Sequence, residues 1–192
     1  MGGGEAIGLY DITWPAYSGW SSATPVDVVG IAKLLSQGGM DLTAADHDRC
    51  TLMHSAAGAQ LSEILKFLGT DVGISPDLMD KDRNTSLHRA VVSRSVVTVE
   101  AVLALGADVN AASNHGTTPL LSAIRDTLFA APKIVELLLE AGANANGLPS
   151  HHTRPLQGAQ DRGLTTICEL LLKHGATPVE LTAAPDEWLV PI

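Results

Sequence analysis

The chain has 192 residues and a formal net charge of −9, an acidic balance that argues against a nucleic-acid footprint, which needs clustered Lys and Arg. Hydrophobic residues make up 45%, charged residues 17%, and 18 glycines are present, a mixture that suits short helices joined by many tight turns. No stretch approaches membrane-spanning length and no basic segment precedes an apolar run, so no membrane role is expected.

Residues 1–25 form an aromatic N-terminal segment. Tyr10, Trp14, Tyr17 and Trp20 are four of the seven aromatic residues in the chain, and Pro15, Gly19 and Pro25 break any long helix among them. Two readings compete. The segment is an irregular cap over the apolar face of the helix that follows, or its rings wall a pocket for a small molecule or peptide. The stretch Val26–Leu35 then predicts a helix ending near Gly39, with no recognisable helical partner before it.

From Gly39 onward the chain repeats itself. Gly39, Gly73, Gly106, Gly142 and Gly175 stand 34, 33, 36 and 33 residues apart. Each of the first four is followed twelve residues later by a related tetrapeptide: Thr51-Leu52-Met53-His54, Thr85-Ser86-Leu87-His88, Thr118-Pro119-Leu120-Leu121 and Arg154-Pro155-Leu156-Gln157. A threonine there can cap a helix, and a proline at the first helical turn has no amide hydrogen to leave unbonded. Five positions on, Ala56, Ala90, Ala123 and Ala159 let neighbouring helices approach closely. Second helices carry the greasier stripes, such as Ile134-Val135 with Leu137-Leu138-Leu139, and each ends at a glycine suited to a left-handed turn.

The period, the tetrapeptides and stretches such as Gly106-Ala107-Asp108-Val109-Asn110-Ala111 resemble the ankyrin-repeat family. The resemblance implies an all-α solenoid of stacked helix-turn-helix units with β-turn fingers. It runs over residues 26–178 as a degenerate first repeat and four units, with residues 179–192 as a C-terminal tail. In that family the histidine of the tetrapeptide bonds backbone between neighbouring fingers, which His54 and His88 would do here. Leu121 and Gln157 interrupt that network in the later units.

Departures from the pattern mark where specificity could lie. The family's finger turn ends in glycine, which Gly116 keeps, whereas Arg49, Arg83 and His152 replace it in the other units. A long basic side chain gives up the conformational ease of glycine there. Asp46, Asp48, Asp80 and Asp82 flank the two arginines, either as local partners or as part of a mixed-charge binding tip. On the groove face of the first helices, Arg89, Arg125 and Arg162 are expected to project in sequence, and arginine is favoured at interface hot spots. His115 and His151 occupy one register in adjacent fingers, too far apart for a shared zinc, so no metal site is expected.

Together these features point to a non-catalytic module, a scaffold or adaptor that binds another protein or peptide through fingertips and concave groove. Its candidate contacts are Arg49, Arg83, Arg89, His115, Arg125, His151 and Arg162, with Asp48 and Asp82 supplying charge complementarity. The alternative is a small-molecule-binding protein or unusual enzyme using Tyr10, Trp14, Tyr17 and Trp20. No phosphate loop, zinc signature or nucleophile elbow supports catalysis, and no cofactor is expected. Only Cys50 and Cys168 are present, far apart in an array, which fits a monomer in a reducing cytoplasmic or nuclear setting.

Overall fold

The structure is a computed structural model that describes residues 27–125, 132–147 and 154–178. Residues 1–26 with the aromatic quartet, 126–131, 148–153 with His151 and His152, and 179–192 lie outside the described residues.

Every described helix is short. First helices are α2 (Leu52–Gly58), α4 (Ser86–Val92), α6 (Pro119–Arg125) and α8 (Pro155–Gln160), and second helices are α1 (Val28–Gln37), α3 (Ser62–Phe67), α5 (Val96–Ala104), α7 (Pro132–Glu140) and α9 (Thr165–Lys173). None reaches the length at which a helix holds together alone in water, so stability must come from stacking. First helices pack in one row, α2 on α4, α4 on α6 and α6 on α8, while α1, α3, α5, α7 and α9 form the second row. The result is the expected all-α solenoid, and among the described residues the only extended pairing is a bridge between Ala45 and Thr51.

Sequence period explains the packing. Ala56, Ala90, Ala123 and Ala159 are all buried where first helices meet. Second helices bury Leu65, Val99 with Val102, Ile134 with Leu138, and Ile167 with Leu171, each pair or residue lying on one helical stripe. The closing glycines adopt left-handed φ between 81° and 92°, the geometry that ends a helix without a Cβ clash. In the first full unit one more residue separates Thr51 from Gly73 than separates Thr85 from Gly106. A π-helical turn over Leu68–Val72 absorbs it, as single-residue insertions into helices commonly do.

Helix α1 lies at the open end of the second row and buries none of its residues, with Ile31 and Leu34 exposed at 46% and 68%. Val28, Val29 and Ala32 rest against the core. The outward face is the one an N-terminal cap would cover.

The tetrapeptide histidines tie unit to unit. Nδ1 of His54 accepts the Thr51 amide at 3.2 Å and lies 2.9 Å from its hydroxyl, so Nε2 carries the proton and donates to the Asn84 carbonyl at 3.1 Å. His88 repeats this with Thr85 and the Thr117 carbonyl, at 3.2, 3.0 and 2.9 Å. The third unit has Leu121 instead, and there the Thr118 hydroxyl takes the ordinary capping role, accepting the Leu121 amide at 3.3 Å. Asparagines take over the tying. Asn110 donates to the Gly142 carbonyl and accepts the Asn144 amide, while Asn146 donates to the Gly175 carbonyl and accepts the Thr177 amide.

Replacing Ala90 with leucine is expected to overpack the first-helix row and to cost about 1–3 kcal/mol, read by urea denaturation; a neutral result would contradict the packing. The histidines set a pH dependence. Desolvation holds both imidazoles below their ordinary pKa, outweighing the hydrogen bonds to carbonyl oxygens that pull them upward. The unfolded chain therefore takes up protons first as pH falls below about 6.5. Stability is full above that value and declines toward the folded pKa, by up to roughly 1.4 kcal/mol per pH unit for each histidine. The urea midpoint should fall between pH 7 and 5, and less so in His54→Gln/His88→Gln. A flat profile in the native chain would show that the rings are not held neutral.

Candidate functional site

The fingers are built by their first residue. Asp46, Asp80 and Ser113 each stand seven residues after a helix-closing glycine. Asp46 Oδ1 accepts the Asp48 and Cys50 amides at 2.9 and 2.8 Å, and Asp80 Oδ1 accepts those of Asp82 and Asn84 at 2.9 and 2.8 Å. Ser113 Oγ takes the His115 and Thr117 amides more loosely, at 3.3 and 3.2 Å. Such side-chain turns let a short polar residue stand in for backbone. Arg49 and Arg83 then turn the chain at φ 61°, where the third finger uses Gly116 at φ 66°. An L-residue in that region costs about 1–2 kcal/mol, so two fingers carry an arginine where glycine would be easier.

Adjacent fingers are joined edge to edge. The Lys81 amide donates to the Asp48 carbonyl at 2.8 Å and the Asn114 amide to the Asp82 carbonyl at 2.9 Å. Lys81 Nζ also reaches Asp48 Oδ1 at 3.0 Å, and that bond keeps the Asp48 carboxyl below and the Lys81 amine above their ordinary pKa. His47 lies 3.4 Å from the same carboxylate. The side chains of Arg49, Arg83, Asp82 and His115 are exposed, and among the described residues they make no hydrogen bond or ion pair.

The groove is less free than its sequence suggests. Arg89 does not project alone: its Nη2 lies 2.8 Å from Oδ2 of the buried Asp80 and 3.9 Å from Cys50 Sγ. Burial would raise the Asp80 pKa, but bonds from the Asn84 amide and side chain, Arg89 and the Asp82 amide outweigh it and hold the carboxyl below its ordinary value. Arg89 therefore finishes the second finger's anchor, and its loss would leave a buried carboxylate short of a partner. Arg162 is tethered too, donating Nη1 to the Arg125 carbonyl at 2.7 Å and closing the end of α6. Asp161 accepts from Gln157 at 2.6 Å and makes no ion pair among the described residues. The Arg125 side chain is exposed and makes no bond or ion pair among them.

The structure thus groups Arg49, Arg83, Asp48, Asp82 and His115 along one row of fingertips, with Arg89 beneath them. Arg125 and Arg162 sit together further along the array, at the α6 end that Arg162 closes. His151 and the aromatic quartet Tyr10, Trp14, Tyr17 and Trp20 lie outside the described residues. Sequence reading placed Asp80 beside the finger arginines but missed it as the partner of Arg89, and it missed Lys81 as the partner of Asp48, although the seventh position after the first three glycines, Asp, Asp and Ser in turn, was a legible turn signal. Among the described residues, no group of three or more His, Cys, Asp or Glu could hold a metal ion, and no helix is long and apolar enough to cross a membrane.

Comparison with known proteins agrees with this architecture. The model of ankyrin repeats in three copies matches residues 27–113 and 54–147. A crystal structure of an ankyrin repeat domain from Acinetobacter baumannii AYE is similar, with a TM-score of 0.69 and 33% sequence identity over 76% of this chain and 75% of that one. Stacked helix pairs, fingers joined by backbone and a family match across more than half the chain lead to one conclusion: this chain belongs to the ankyrin-repeat family.

Proposed function

We propose that the chain is a non-catalytic scaffold or adaptor that holds a partner protein along its fingertips and the adjoining concave face. Ankyrin repeats are in general protein-interaction modules, and this reading gives that role specific residues. The observation that carries it is a contrast within the fingers. Their backbone is locked, by the Lys81–Asp48 and Asn114–Asp82 bonds, while Arg49, Arg83 and His115 at the tips remain uncommitted among the described residues. A surface ordered before binding avoids much of the entropy cost of association. Arg125 extends the contact surface, and His151, outside the described residues, is kept as a contact on its sequence register alone. Asp48 and Asp82 contribute at the tips, and Arg89 and Arg162 contribute beneath them while also holding the scaffold. The free thiols Cys50 and Cys168 suit a reducing compartment, and the chain would act as a monomer.

The test is affinity capture from a cell extract, with the native chain and an Arg49→Gln/Arg83→Gln/Arg125→Gln variant compared side by side. Those three side chains make no bond within the described fold, so the melting temperature should stay within about 2 °C of native. The expected result is one or more proteins retained by the native chain and lost with the variant. Capture that is indifferent to all three substitutions would move binding off this surface.

A further inference from the structure

The tips of the first two full fingers hold two cations that no ion pair among the described residues engages. The first two full fingers carry four acids, Asp46, Asp48, Asp80 and Asp82, yet three of them are consumed by the fold. Asp46 and Asp80 each bind two backbone amides, Asp80 also binds Arg89, and Asp48 binds Lys81 of the next finger. Lys81 and Arg89 are spent in the same pairs. What faces outward without a bond or ion pair among the described residues is Arg49 and Arg83, opposed by Asp82 alone. Asp46 and Asp82 balance the two arginines in formal charge, but Asp46 is bonded to the amides of its own turn, which leaves the guanidinium groups of Arg49 and Arg83 to meet a partner's carboxylates. Both arginines hold φ 61° where the neighbouring finger has glycine, so the guanidinium groups are kept at the expense of easier folding.

We propose that Arg49 and Arg83 clasp an extended acidic segment of a partner protein, each arginine receiving one carboxylate. This rests on the interaction-module reading above and names the partner's chemistry. The two arginines occupy equivalent positions in adjacent fingers, and stacked helical units lie about 10 Å apart. In a polyproline-II segment, residues three apart return to the same side after about 9.3 Å. A pair of Asp or Glu residues at i and i+3 therefore matches the spacing, and a carboxylate fits the planar guanidinium fork in bidentate fashion. Exposed ion pairs are individually weak, so recognition needs both contacts together on a backbone edge that does not have to be ordered first.

The experiment selects a displayed library of random twelve-residue peptides on the folded full-length chain at low salt. The expected outcome is enrichment of Asp or Glu pairs three residues apart. The best peptide, made synthetically, should bind Arg49→Gly/Arg83→Gly about tenfold more weakly or worse, and its affinity for the native chain should fall with added salt. Glycine relieves the left-handed turns, so the double variant should melt at or above the native temperature while it loses binding, which separates contact from folding. Selected peptides that lack acid pairs, or that bind the double variant as tightly as the native chain, overturn the acidic partner and leave the interaction module standing. A library that yields no binder to the folded chain overturns both.

Discussion

A single hydrogen bond sets the frame for the rest of this molecule: Nε2 of His54 to the carbonyl of Asn84, copied by His88 to Thr117. It joins the start of one first helix to the finger of the next unit, across 30 residues of chain. Helices of six to ten residues have no stability of their own, so the array exists only through contacts between neighbours. Apolar burial drives that stacking but does not dictate how far one unit slides over the next. The histidine does, because its two ring nitrogens have different jobs and only one register satisfies both. Where histidine is missing, Asn110 and Asn146 bond the following unit on both faces of their amides, and the stack continues in the same register.

Fixing the register fixes the edge. Once the fingers lie side by side, their backbones bond directly at Lys81–Asp48 and Asn114–Asp82. Charge is then sorted by position. Acids at the first finger residue turn inward to hold the turn, and Arg89 closes over the buried Asp80. Arginines at the turn itself are exposed, in a backbone conformation they adopt with difficulty. The interaction proposed for this surface is the counterpart of that sorting: groups that build the finger are bonded within it, and groups that do not build it remain available.

Much of the fold was legible because it is periodic. Glycines at near-constant spacing, threonine twelve residues on, alanine five further and a histidine at the end of the tetrapeptide each report one recurring physical need. The candidate site was legible only in part. That Arg49 and Arg83 replace a turn glycine could be read directly, since position alone implies positive φ. That Arg89 is held by Asp80, nine residues earlier, could not, because charge spacing does not say which carboxylate faces inward. The Arg162 bond to the Arg125 carbonyl, 37 residues away, depends on how far two units have slid together. The π-helical turn at Leu68–Val72 was present as one surplus residue, but a surplus can enter a loop as easily as a helix. For Tyr10, Trp14, Tyr17, Trp20 and His151 the sequence remains the only guide.

If the fingers are a pre-ordered edge and not a set of separate loops, their joining amides must open only when the stack opens. Hydrogen exchange at the amides of Lys81 and Asn114, followed residue by residue, measures this directly. The account expects both to exchange as slowly as core amides of α4 and α5, with the same sensitivity to denaturant. Exchange at the rate of an unprotected loop, unaffected by stability, would contradict it.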